Sequence, residues 1–437
     1  MKKLSAEKEA LSEWLDVVYK ASNSSKSNRN RRKHAFELIT NASFCSTEFQ
    51  NWILNYHSWH TKISQMISQP NLTLNQQRDL IFQHNLRFLV MVRFDSGIAD
   101  RTTHLIASYL IAVLTRRFYV FDDTWPEFFE IMRANLAFRP EIIAPWISHL
   151  NNLNKNLPHN HSLYLSNVWQ ITRAHRCHTD FDYEKLFPER ILFLKSHAGN
   201  VMQMLTSSTS VYAYFMQNIL KMRPDNIFGC LYHMLLIPRL STFIEASSVE
   251  SRTDAVLFQK SLETLLSPEF PTIGIQIRIG DLFMKEDSSV GTKDPSLIER
   301  FGGFFTCVED LSASNPETIV FLMSDSLRIR KIALNRWYSG SINHSHIQLL
   351  TSTTKVKHIT YSKDTYIGFR DGFLEMFLYS LCDQHILTRD SGFGRVPAFA
   401  SMKNRPLFSL TEKAKPKCAL REGQVTFTQS GREWSGV

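Results

Sequence analysis

Between Thr272 and Gly280 the chain alternates strictly: Ile273, Ile275, Ile277 and Ile279 are interleaved with Gly274, Gln276, Arg278 and Gly280. A two-residue period predicts a β-strand with one apolar face, here Thr272–Ile279. Further apolar runs follow at Thr318–Met323, at His346–Leu350 or His358–Tyr361, and at His385–Leu387, with a helical stretch Gly372–Cys382 before the last. Strands alternating with helices predict an α/β region with a largely parallel sheet. Upstream, Arg87–Phe94 reads as a strand, Asp95–Arg101 as a turn, Thr102–Arg116 as an apolar helix and Arg117–Asp123 as the next strand. This is a βαβ pattern, and its turn would aim backbone N–H groups and a helix N-terminus at an anion. Trp125–Glu250 is expected to be mostly helical, with a strand at Arg190–Ser196 and an apolar segment, Phe228–Pro238, stopped by proline. Residues 1–75 read as polar and helical, the aromatics of Asn51–Ser64 forming a packing face. Residues after Leu410 read as a polar, basic tail of loop.

A length of 437 residues is too great for one small core, so two domains are expected. The net charge of +9 favours polyanionic partners such as a sugar nucleotide. No nucleic-acid recognition motif accompanies that charge, so no nucleic-acid partner is expected. The six cysteines are scattered without a C-x-x-C pair, so neither a disulfide framework nor a zinc site is expected; Cys230 and Cys382 read as small core residues. No run of about 18 apolar residues occurs, and the first residues lack an apolar signal run, so no membrane span is expected. The expectation is a soluble, cytoplasmic protein, with a secreted effector as the alternative.

Three strand candidates end in polar clusters: Arg278-Ile279-Gly280-Asp281, Ser324-Asp325-Ser326, and Ser391-Gly392-Phe393-Gly394-Arg395. In a parallel sheet the three would share the carboxyl edge, where ligands of open α/β folds bind. Each has a plainer reading: an arginine–aspartate pair, a helix cap, a turn.

Together these residues resemble the fucosyltransferase superfamily, whose signature is a [HQ]-x-R-x-G-D strand end, here Gln276 to Asp281. The turn Gly97-Ile98-Ala99-Asp100-Arg101 resembles the family's G-x-G-N-R/Q turn, with Ala99 and Asp100 in place of glycine and asparagine. Phe228–Pro238 is similar to a segment of the plant-type α1,2-fucosyltransferase branch, and protein O-fucosyltransferases share the strand-end signature. The resemblance implies an α/β GT-B fold, with two Rossmann-like domains facing across a cleft. Residues 1–84 would be a helical N-terminal extension, 85–255 the acceptor-side domain, 256–410 the nucleotide-sugar domain and 411–437 the tail. It implies an inverting transfer of fucose from GDP-fucose to a glycan or protein hydroxyl, without a metal. Arg278 would stabilise the departing diphosphate beside Gln276 and Gly280. Asp325, between Ser324 and Ser326, would bind guanine. Ser391, Gly392 and Phe393 would meet phosphate or ribose, and Gly97 and Arg101 the pyrophosphate or fucose. Asp281, Glu286, Asp95 and Asp100 are candidate bases, Asp281 being equally suited to orient Arg278. A related donor such as GDP-mannose, or a non-catalytic carbohydrate- or protein-binding role, remain alternatives.

Overall fold

The computed structural model describes residues 45–91, 97–121, 131–134, 162–165, 182–194, 211–238, 252–265, 270–280, 295–315, 317–338, 346–352, 365–402, 407–427 and 429–430. These divide after Ile237 into two compact units. The helix Arg252–Leu265, which runs across the boundary expected at 255/256, belongs whole to the second.

In the first unit, β1 (Phe88–Met91), β2 (Phe118–Phe121), β4 (Ser162–Leu165) and β5 (Ile191–Leu194) form a sheet of order β2-β1-β5-β4 with parallel neighbours. A short pair joins β3 (Met132–Ala134) to β6 (Leu236–Pro238). Strands β3, β4 and β6 fall where helix was expected, each too short to show a period in sequence. The helix Ile98–Leu114 connects β1 to β2 and starts before the expected Thr102, because Gly97 caps it and accepts from the Arg101 N–H (3.1 Å). This helix is buried along almost its whole length. Thr102, Thr103, Ser108 and Thr115 donate their hydroxyls to carbonyls one turn back, which satisfies polar groups that burial would otherwise penalise.

The helix Thr47–Ile67 lays the expected aromatic face on this unit. The Tyr56 hydroxyl donates to the Arg117 carbonyl (2.6 Å), and His60 Nε2 bonds the Tyr119 carbonyl (2.9 Å) while its ring stacks on Phe118 (3.9 Å between centroids). Desolvation lowers the pKa of His57 to about 4 and that of His60 to about 3, so both are neutral at pH 7.

In the second unit, β7 (Thr272–Ile277), β8 (Thr318–Ser324), β9 (Ile347–Thr351), β10 (Gln384–Thr388), β11 (Leu407–Leu410) and β12 (Gln424–Val425) form a sheet of order β12-β11-β10-β7-β8-β9. Every pairing is parallel except β11 with β12. Of the two candidates for the β9 strand, the one at His346–Leu350 forms it, and His358–Tyr361 lies outside the described residues. Strand β7 is buried throughout. Ile273, Ile275 and Ile277 pack with Phe301, Phe304 and Phe305 of the helix Pro295–Ser312. The other face meets the helix Thr365–Ser380: a Cβ at Gly274 would stand 2.9 Å from the Tyr379 ring. Covering both faces is what a parallel sheet requires.

Two expectations are corrected. The residues after Leu410 are not a free tail: Cys418–Leu420 form a 3₁₀ turn and β12 adds an antiparallel edge strand. The cysteines also do form disulfides, Cys45–Cys230 in the first unit and Cys307–Cys418 in the second. Their partners are separated by 185 and 111 residues, so no local spacing betrays them. Cys230 is thus a bridged residue as well as a buried one, while Cys382 is a free, buried core thiol.

Candidate functional site

The strand order β10-β7-β8 sets three polar strand ends side by side, at the carboxyl edge of parallel strands. After β7 the backbone turns at Gly280, whose φ of +96° lies in the left-handed region that favours glycine. In this loop Asp325, at the end of β8, accepts from the Ile279 N–H at Oδ1 (2.9 Å) and from the Gly280 N–H at Oδ2 (3.2 Å). Asp325 is 8% exposed. Burial raises its carboxyl pKa, opposed by the two backbone N–H groups and the nearby Arg278 charge. Each oxygen accepts one of these bonds and keeps a further lone pair.

Ser324 and Ser326 serve the local backbone. The Ser324 hydroxyl donates to the Ile277 carbonyl (2.8 Å) and accepts from the Ser326 N–H (3.1 Å). The Ser326 oxygen accepts from the Ile329 N–H (3.3 Å), capping the helix Leu327–Tyr338. Gln276 is buried, and its side-chain oxygen accepts from the Thr388 N–H (3.1 Å). The Thr388 hydroxyl donates to the Gln276 carbonyl (3.2 Å) and accepts from the Arg278 N–H (3.0 Å). Thr388 therefore fixes the end of β10 to the residue that carries Arg278.

On the far side of Thr388, the turn Arg389–Asp390 leads to Ser391 and the helix Gly392–Ala400. Ser391 is the N-cap residue, but its hydroxyl makes no capping bond. That hydroxyl is buried and has no hydrogen-bond partner. The helix geometry leaves the Gly392 and Phe393 N–H groups without intrahelical acceptors, and Phe393 is half-buried. A buried hydroxyl and helix N–H groups without intrahelical acceptors form a ready anion cradle.

A buried ion pair supports the edge from behind. Arg330 donates to both carboxylate oxygens of Glu375 (2.7 and 2.9 Å), to Thr351 Oγ1 (3.0 Å) and to the Ser324 carbonyl. It thereby ties the carboxyl ends of β8 and β9 to the helix Thr365–Ser380. Glu375 is pushed up in pKa by burial, with Arg330 opposing. Sequence reading missed Thr388, Arg330 and Glu375: Arg330 stands among Arg328, Lys331 and Arg336 in its helix, and Glu375 follows Arg370 and Asp371 in its own, so no local pattern marks either.

Arg278, Gly280, Asp325 and Ser391 are thus brought to one edge of the second unit, with Gln276, Ser324, Ser326, Gly392 and Phe393 beside them. Gly97 and Arg101 lie in the first unit, as a helix cap and a buried first-turn side chain. Asp100 occupies that same turn, whereas Asp281, Glu286 and Asp95 lie outside the described residues. Among the described residues no group of three or more His, Cys, Asp or Glu could hold a metal ion, and no helix is long and apolar enough to cross a membrane.

No protein-family model matches the sequence, and no curated protein matches it. Solved structures do. A mutant of Arabidopsis thaliana FUT1 in complex with GDP superposes with a TM-score of 0.58 at 14% identity, over 86% of this chain and 83% of that one. Fucosyltransferase NodZ from Bradyrhizobium gives a TM-score of 0.39 at 13% identity, over 74% of this chain and 96% of that one. The likeness to FUT1 shows the fold: the chain has a fucosyltransferase-like α/β fold of the GT-B class.

Proposed function

We propose that the chain is an inverting glycosyltransferase that moves fucose from GDP-fucose to a hydroxyl of a glycan or protein. The observation that carries this reading is the adjacency of Arg278, Asp325 and the unpartnered Ser391 hydroxyl beyond neighbouring parallel strands. Arg278 faces the β-phosphate, since a guanidinium matches an oxyanion with two parallel N–H groups. Ser391, with the Gly392 and Phe393 N–H groups, receives a phosphate oxygen. Asp325 uses its remaining lone pairs on the guanine N1–H and N2 amine.

The acceptor oxygen attacks the anomeric carbon opposite the diphosphate, the carbon–oxygen bond to the β-phosphate breaks, and its electron pair leaves on GDP. The acceptor proton passes to a carboxylate, for which Asp281 is the first candidate. Charge develops chiefly on the leaving diphosphate, so cationic and N–H donors fixed in place are what lower the barrier. With Arg278 and a helix N-terminus supplying that role, transfer is expected to need no divalent metal and to persist in a chelator. The two disulfides favour an oxidising compartment over the cytoplasm expected from the sequence.

The test is Arg278→Ala. Turnover of GDP-fucose should fall by ~10²–10³ with circular dichroism unchanged. Full activity in a folded variant would overturn the assignment.

A further inference from the structure

Three arginines directly precede neighbouring strands of the first unit: Arg87 before β1, Arg117 before β2 and Arg190 before β5, with Arg116 one residue further out. Phe88 is in register with both Phe118 and Ile191, so these arginines form a row along the amino edge of the sheet. Strand spacing is only about 5 Å, which crowds like charges. The row is at the opposite end of β1 from the Gly97 turn.

Two of the four are held by the protein itself. Arg117 is fully buried and donates to the carbonyls of Glu189 (2.7 Å) and Phe187. Arg87 pairs with Glu184 and donates to the Thr115 carbonyl (2.7 Å). The other two have no carboxylate partner among the described residues. Arg190 donates to the Leu86 carbonyl and to Asn85 Oδ1 (both 3.2 Å), lies over the Phe82 ring (4.7 Å), and keeps a buried Nε with no partner. Arg116 is exposed, its guanidinium 5.9 Å from the Trp59 ring centre. Burial lowers the pKa of both Arg190 and Arg117, with the Arg87 charge adding to it, while Glu184 and Glu189 only partly compensate at Arg117. The local potential is positive.

Trp59, His84, Asn85, Arg87, Arg116 and Arg190 surround a cavity of about 580 Å³. That is a small-molecule volume, roomier than a bare inorganic anion needs. Guanidiniums recognise sulfate and carboxylate through paired N–H groups, and a half-exposed indole offers a flat apolar wall to a pyranose ring. An amide and an imidazole complete the rim with hydroxyl partners.

We propose that this pocket is a binding site for an anionic saccharide bearing sulfate or carboxylate, separate from the edge assigned to the sugar nucleotide. It rests on the arginine row and the cavity, and not on the donor assignment.

Calorimetric titration of the full chain should use a sulfated heparin tetrasaccharide, a hyaluronan tetrasaccharide carrying only carboxylates, and neutral chitotetraose. At least one anionic probe should bind with an affinity that falls with salt, and the neutral probe should not; the stronger of the two anionic probes names the group recognised. Arg116→Gln and Arg190→Gln should each weaken that binding about tenfold, with GDP binding unchanged. The Arg116 side chain is exposed, so Arg116→Gln carries the test if Arg190→Gln fails to fold. Equal binding of the neutral probe, no binding of either anionic probe, undiminished binding by folded Arg116→Gln, or tighter binding of an RNA tetranucleotide would each overturn the proposal. Full GDP-fucose turnover in Arg278→Ala, which would overturn the donor assignment, would leave this result untouched, so the two readings fail separately.

Discussion

Asp325 joins two tasks that a single substitution can separate. Both its oxygens hold backbone N–H groups of the loop after β7, and the same oxygens are proposed to read guanine. Asp325→Asn keeps the shape but turns one acceptor into a donor facing an N–H. The uncompensated contact should destabilise the chain by about 1–3 kcal/mol in denaturant melts. The brace alone predicts only that loss. Guanine reading predicts more: the wild-type preference for GDP over inosine diphosphate, which lacks the N2 amine, should vanish in the variant. Retained preference would reduce Asp325 to a loop brace. The placement of Arg278 and Gly280 near the strand's carboxyl end was legible from the alternation of Ile273 to Ile279, although β7 stops at Ile277, two residues short of the expected Ile279. Thr388 was not, because its role comes from β10 lying beside β7, a pairing that no local pattern specifies.

At the level of elements, the helix Thr47–Ile67 was readable as a packing face from its aromatic spacing, but the cost of burying its histidines was not. His57 and His60 have folded pKa values of about 4 and about 3, below the 6.5 of the unfolded chain. The unfolded state therefore binds protons first as pH falls. Stability is full above pH 6.5 and is lost progressively below it, toward the folded values. His60 alone should cost about 2 kcal/mol between pH 7 and pH 5. His60→Gln should flatten that slope in melts across this range, whatever it does to the plateau. The polar tail gives a second case at this scale. A Cβ at Gly303 would stand 1.8 Å from the Ala414 carbonyl oxygen, so the helix Pro295–Ser312 admits residues 413–416 only because glycine is there. Gly303→Ala should lift that segment and speed tryptic cleavage in Lys413–Lys417. Unchanged cleavage would mean that the segment does not depend on this contact. The basic composition that suggested a loose tail is real; what it concealed is a cysteine at Cys418 bridged to the helix it crosses.

For the whole molecule, each unit carries its own bridge, Cys45–Cys230 or Cys307–Cys418, and the proposed nucleotide edge belongs to the second unit alone. Closing a loop of 111 or 185 residues removes conformational entropy from the unfolded chain, and losing such a bridge typically costs about 2–5 kcal/mol. A nucleotide that binds the folded second unit stabilises that unit by mass action, by about 2.7 kcal/mol at a hundredfold excess over Kd. The two effects should therefore sort by unit. Calorimetry of Cys45→Ser should show a lowered transition that GDP does not restore, alongside a transition that GDP still raises. Cys307→Ser should lower the GDP-responsive transition itself. A reductant applied to the wild-type chain should reproduce both losses together. A single transition that responds equally to GDP in both variants would show that the units unfold as one, and the division after Ile237 would then be geometric without being energetic.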